Sequence, residues 1–154
     1  MHPVWATHAA LWLSEPTEAP FRAELARRIS GPVPAEDYQV VIFEREASLR
    51  GGEAVRLTRV EVKPSGVYDV IDVFRDTAVP WLAETPGFCG VLLFADPASG
   101  QLISETVWED QRTRAASPSV AALIRANVPD EANCEIRAVE DYSLIFSSAR
   151  KPEH

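Results

Sequence analysis

Residues Gly87 to Asp110, GFCGVLLFADPASGQLISETVWED, read as two strands joined by a tight turn. Phe88 to Ala95 is apolar at almost every position, the pattern of a strand covered on both faces. Asp96-Pro97-Ala98-Ser99-Gly100 supplies turn chemistry, since proline fixes φ and glycine accepts φ > 0. The returning strand, Gln101 to Glu109, puts Leu102, Ser104, Thr106 and Trp108 on one face and Ile103, Glu105 and Val107 on the other. The hairpin therefore belongs to a sheet with both faces covered.

Working outward, Ala54 to Lys63 predicts a strand in which Val55 and Leu57 sit in one phase and Val60 and Val62 in the other, the mark of a bulge or of a two-faced strand. Pro64-Ser65-Gly66 punctuates it. A helix then runs from Val67 to about Glu84, with Val67, Val70, Ile71, Phe74, Ala78, Trp81 and Leu82 along one side and a kink at Pro80. Thr85-Pro86-Gly87 ends that helix and launches the hairpin. Beyond it, Asp110 to Ser117 opens as a turn of helix, Ser119 caps a longer helix through Val120, Leu123, Ile124 and Asn127, and Glu135 to Ser147 closes as a long strand. Residues 54–147 are thus β-α-β-β-α-β, the ferredoxin-like arrangement of the α+β class. Two helices cover one face of a four-stranded antiparallel sheet, and the other face calls for a second sheet from another chain or from a repeat.

A repeat is detectable. Trp12, Val33-Pro34 and Glu36-Asp37-Tyr38-Gln39-Val40-Val41-Ile42-Phe43 parallel Trp108, Val128-Pro129 and Glu140-Asp141-Tyr142-Ser143-Leu144-Ile145-Phe146. His8 to Leu13 reads as a strand, Ser14 as a cap, and the stretch to Ser30 as a helix with Phe21, Leu25 and Ile29 on its stripe. Tyr38 to Phe43 follows as a strand. The division expected is a β-α-β half module over residues 1–50, a complete module over 51–148 after the Arg50-Gly51-Gly52-Glu53 linker, and a loose tail over 149–154.

The 154 residues carry 23 acidic against 15 basic side chains, a formal charge of −8, with no Lys/Arg run longer than Arg27-Arg28. That balance disfavours nucleic acid and anionic membrane as partners. No stretch is long and apolar enough to span a bilayer and no basic leader opens the chain, so a cytoplasmic location is expected. Two cysteines, Cys89 and Cys134, have neither disulfide-framework nor metal spacing. Neither has a histidine or basic run beside it to make a thiolate nucleophile. There is no Gly-rich phosphate loop, His-Glu-x-x-His, Cys-x-x-Cys or Gly-x-Ser-x-Gly, which argues against nucleotide, metal and hydrolase chemistry.

The helix end Val79-Pro80-Trp81-Leu82-Ala83-Glu84-Thr85-Pro86-Gly87-Phe88, the hairpin, and Val107-Trp108-Glu109-Asp110 running into a helix resemble the antibiotic biosynthesis monooxygenase family of the dimeric α/β-barrel group. The resemblance spans residues 54–147 and, through the repeat, part of 8–48. It implies two sheets packed face to face in a dimer or tandem pair, and a cavity for a small hydrophobic or aromatic molecule between sheet and helices, lined here by Phe74, Trp81, Trp108 and Leu123. It implies a homodimer of small-molecule, secondary metabolism. The activity implied is cofactor-independent oxygenation of an aromatic polyketide-like substrate; alternatives are a polyketide cyclase or isomerase and a non-catalytic ligand-binding or assembly module. Haem-degrading members need a histidine on the helix side, and none occurs between His8 and His154, so haem is not expected. No cofactor and no metal is expected.

Candidate site residues carry two readings each. Trp108 either stacks on a planar substrate or fills the corner beneath the following helix, and Trp12 stands likewise in the half module. Arg59, Glu105, Arg137 and Glu140 lie on strands covered on both faces. Paired and buried they orient a phenolate or exchange protons; at a strand end they are rim charges. Tyr142, in phase with Leu144 and Phe146, is either a proton donor or a core residue with a satisfied hydroxyl. His8, which shares a strand face with Trp12, is either a solvated or hydrogen-bonded histidine or a base.

Overall fold

The computed structural model describes residues 38–45, 49–117 and 119–145. The readings at His8, Trp12, Ser14 and the 14–30 helix, and those at Phe146 and the 149–154 tail, lie outside the described residues. The chain divides into compact units at Tyr38/Gln39, and the sheet and its helices belong to the second.

Five strands form one antiparallel sheet in the order β1-β3-β4-β2-β5, with β1 Gln39–Arg45, β2 Ala54–Glu61, β3 Phe88–Asp96, β4 Gln101–Trp108 and β5 Glu135–Ser143. Strands β2 to β5 with their helices are the expected βαββαβ unit: β2 and β3 run parallel but are separated by β4, so the crossover is a split one. The strand read as closing the half module is β1, at the edge of this same sheet and paired with β3. Valine, isoleucine and phenylalanine at 40–43 give β1 the composition to add to an edge that Leu92 to Ala95 already offers.

The β3–β4 hairpin turns on Gly100, whose φ is +79° and whose ideal Cβ would lie 1.9 Å from the carbonyl oxygen of Val62. Only glycine fits a left-handed backbone pressed against another chain segment. That closeness is used, because Val62 N–H donates to Gly100 O at 2.8 Å and ties the hairpin to the end of β2.

Between β2 and β3 the chain is helical from Pro64 to Ala83: a 3-10 turn at Pro64–Gly66, α1 Val67–Val73, a π-helical turn Phe74–Ala78, and α2 Val79–Ala83. At Pro80, where a kink is expected, the helical segment carries a π-helical turn. Pro80 has no N–H for the carbonyl four residues back, and the widened turn immediately before it accommodates the ring. Helix α3, Gln111–Ala116, starts from a capping box in which Asp110 Oδ1 accepts from Thr113 N–H at 2.8 Å and Thr113 Oγ1 accepts from Asp110 N–H. Ser119 caps α4, Val120–Asn127, as its position foretells.

Val67, Val70, Ile71, Phe74, Ala78 and Leu82 are buried in one core with Val120, Ile124, Leu93, Leu102 and Trp108, while Trp81 and Leu123 are half-buried against it. The phase shift within β2 is resolved in favour of a two-faced strand. Ala54, Arg56, Thr58 and Val60 face the helices and Val55 and Leu57 face away, and both apolar sets are buried. The extra residue lies in the partner strand, where the register slips between Arg59/Ala138 and Val60/Ile136 and leaves Arg137 unpaired in the ladder. The second face is buried as its apolar pattern requires: Val55, Leu57, Phe94, Ile103 and Val107 are each at or below 1% exposure. β5 ends at Ser143 instead of Ser147, because the Leu144 backbone leaves the ladder to bond Gly52 N–H and Glu53 O.

Candidate functional site

Residues directly opposite in an antiparallel pair share a face. Trp108 lies opposite Ala54, Thr106 opposite Arg56, and Ser104 opposite Thr58. These side chains therefore line the helix-facing side of β4 and β2, where Ala54 and Trp108 share one core with Phe74 and Ile124. They are a polar strip inside an apolar core. Trp108, 1% exposed, meets Phe88 edge to face with ring centres 5.8 Å apart. Its Nε1 donates to Thr106 Oγ1 at 3.1 Å, which fixes the indole and satisfies its one donor. Ser104 is also 1% exposed, and its hydroxyl has no hydrogen-bond partner. A buried unpaired hydroxyl costs about 1–3 kcal/mol, so Ser104 is a costly residue to keep at this position.

The strip ends in charge. Arg56 Nε donates to Asp141 Oδ1 at 3.0 Å, and Arg114, reaching down from α3, places its Nε 3.5 Å from the same oxygen. Arg114 Nη1 also donates to the carbonyls of Tyr142 at 2.9 Å and Val55 at 3.4 Å, and its buried Nε has no hydrogen-bond acceptor. Two guanidinium groups thus share one carboxylate at the rim of the helix-facing strip.

The expected site residues fall into three places. Trp108 stands at the strip and shares one core with Phe74, against which Trp81 and Leu123 pack half-buried. Arg59 and Tyr142 lie on the opposite face together with Glu140: Arg59 Nε donates to Glu140 Oε2 at 3.3 Å, and the Tyr142 hydroxyl bonds the same carboxylate. Burial and the Glu140 charge push Tyr142 above its ordinary range, against the smaller pull of Arg59, so it is a phenol and not a phenolate. Glu105 is also on that second face, opposite Leu57 and Leu92, and is the one buried charge of the set at 6% exposure. Arg137 is exposed and bound at 2.9 Å to both Glu61 and Glu135. Its pairing is that of a rim charge. The sheet therefore separates Trp108 from Arg59, Glu105 and Tyr142, because residues one apart on a strand point to opposite faces.

Burial raises both thiols, Cys89 further by the charges of Glu109 and Glu53, so both remain protonated near neutrality. Among the described residues no group of three His, Cys, Asp or Glu side chains is placed to hold a metal ion, and no helix is long and apolar enough to cross a membrane.

Sequence reasoning passed over Arg56, Thr58, Arg114 and Asp141. Arg56 and Thr58 had a signal, since they share the phase of Ala54 and Val60. Arg114 and Asp141 had none, because their meeting depends on where α3 lands.

No family model matches the chain. The uncharacterised protein Rv2558 of Mycobacterium tuberculosis is 25% identical over 150 residues, covering 97% of this chain and 64% of its own length, so the chain spans just under two thirds of that relative. Among solved structures, a Listeria monocytogenes ferredoxin-fold protein related to antibiotic biosynthesis monooxygenases superposes with a TM-score of 0.53 at 12% identity, over 84% of this chain and 90% of that one. An anthrone oxidase-like protein superposes with a TM-score of 0.52 at 16% identity, over 71% of this chain and 54% of that one. The chain has the ferredoxin-like α+β fold of the structures related to antibiotic biosynthesis monooxygenases.

Proposed function

We propose that the helix-facing strip is a binding site for a small hydroxylated aromatic molecule and that the chain is a cofactor-independent monooxygenase acting on it, assembled as a homodimer. The observation that carries this reading is the Ser104 hydroxyl, buried and unpartnered two positions from a Thr106 that holds the Trp108 indole. A planar ligand that brings its own oxygen pairs that hydroxyl and presents a ring to Trp108.

The name of the anthrone oxidase-like structure suggests a probe. Oxidation of an anthrone to an anthraquinone consumes one O2 and releases one water: two hydrogens leave C10, one oxygen atom becomes its carbonyl, and the other departs with the hydrogens. The substrate supplies the electrons. The site's part is to hold the oxygen of the enolate that forms when C10 loses its proton, a charge that a pre-placed hydroxyl stabilises.

A second reading, a carrier or binding module without turnover, is favoured by the placement of Arg59, Glu140 and Tyr142 on the far face from Trp108. One experiment separates the two. Native mass spectrometry of freshly purified protein reads subunit number and any retained ligand, and an oxygen electrode with 1,8-dihydroxyanthrone reads turnover above the spontaneous rate. Turnover that falls in Ser104→Ala and Trp108→Phe supports the oxygenase; binding with no oxygen consumption supports the carrier.

A further inference from the structure

We infer that the ligand of the helix-facing site carries a carboxylate and that Arg56 and Arg114 recognise it. The inference rests on the reading of that strip as a small-molecule site and names the ligand's charge class. Its first ground is stoichiometric: two guanidinium groups meet one carboxylate, Asp141, whose Oδ1 lies 3.0 Å from one and 3.5 Å from the other. Both arginines are well covered, with side-chain exposures of 19% and 13%, so their charge is poorly screened by water. The buried Arg114 Nε has no hydrogen-bond acceptor.

The second ground is independent of charge. Arg56 lies directly across from Thr106, and Ser104, with its unpartnered hydroxyl, is two residues further along the same face. A ligand that pairs Ser104 through a ring oxygen therefore reaches the arginines with a substituent on the same ring system. A carboxylate suits guanidinium better than a phenol does, since its two oxygens accept parallel N–H donors. The arginine end of the strip lies near the surface at β5, where Val139, opposite Thr58 on this face, is 51% exposed and the Asp141 side chain is 45% exposed.

The test is calorimetric titration of the full chain with anthraquinone-2-carboxylate and with its uncharged carboxamide. The carboxylate is expected to bind at least about tenfold tighter, the scale of one charge-assisted hydrogen bond. Arg56→Gln should bring the ratio close to one by weakening the carboxylate alone. Asp141→Asn should tighten the carboxylate several-fold, because it removes the competing anion. Equal binding of the two probes to the wild-type chain overturns the carboxylate assignment and leaves the strip as a neutral aromatic site. A ratio that survives Arg56→Gln overturns it as well. Binding of neither probe overturns the strip as a site and the assignment with it. Where Arg56→Gln loses its fold by circular dichroism, the wild-type ratio and Asp141→Asn decide.

Discussion

Trp108 and Glu53 show two ways a polar group is kept inside this fold. The Trp108 indole has one donor and one acceptor for it, Thr106 Oγ1 at 3.1 Å. Thr106→Val keeps the shape and removes the acceptor, and is expected to cost about 1–3 kcal/mol in urea unfolding, with a shift in the fluorescence of a tryptophan left unpaired. Glu53, in the linker before β2, is buried yet ionised. Burial alone would raise its pKa, but the backbone N–H groups of Arg50, Glu53 itself and Gly51, with the Arg50 charge, outweigh that and lower it. A lowered folded-state value means the carboxylate contributes stability above its unfolded pKa of about 4.3 and loses it as pH falls through the folded value. Glu53→Gln should therefore be less stable than wild type at pH 7, and the gap should close as unfolding is measured at progressively lower pH below about 4. A gap that is constant with pH would mean that the charge is not what holds the linker.

At the scale of elements, the hairpin and the helical segment with its π-helical turn carry the two special backbone geometries beside the candidate site. Gly100 sits in a left-handed backbone with no room for a Cβ, so Gly100→Ala combines conformational strain of about 1–3 kcal/mol with a clash against Val62 O. The expected outcome is a loss above the upper end of that range in chemical denaturation, together with early amide exchange at Val62, whose N–H bonds Gly100 O. Helix patterning was legible at this scale. Ser119 caps the helix it precedes, a helix does begin after Asp110, and the stripe from Val67 to Leu82 is buried except for the half-buried Trp81. The π-helical turn was not, because a proline announces a missing hydrogen bond without saying whether the chain answers by bending or by widening the turn before it. The end of β5 was equally hidden: Leu144 is apolar and in phase, yet its backbone bonds to the linker instead of extending the ladder.

For the whole molecule the decisive property is a sheet buried on both sides. Leu102 lies on the helix-facing side and Leu57 on the other, at 1% and 0% exposure. Leu57→Ala and Leu102→Ala should each cost about 2–5 kcal/mol by equilibrium unfolding. A Leu57→Ala cost well under about 1 kcal/mol would mean that the second face is open in solution. The same two-sidedness bears on function, because it puts Trp108, Ser104, Arg56 and Arg114 on one side and Arg59, Glu105, Glu140 and Tyr142 on the other. The acid–base candidates and the candidate aromatic anchor, neighbours along the chain, therefore cannot serve one reacting centre through the sheet.

From its residues alone the chain determined that Phe88 to Ala95 is a strand covered on both faces, that Asp96 to Gly100 turns it back, and that β-α-β-β-α-β is the order of what surrounds it. Periodicity and turn chemistry are local, and they act within a few residues. Only the tertiary structure decided that Gln39–Arg45 joins the sheet beside β3, and that Arg56 meets Asp141 across 85 positions with Arg114 closing on the same oxygen. Such meetings depend on strand register and on where a helix comes to rest. Those are set by the packing of the entire core, and no pattern within either segment records them.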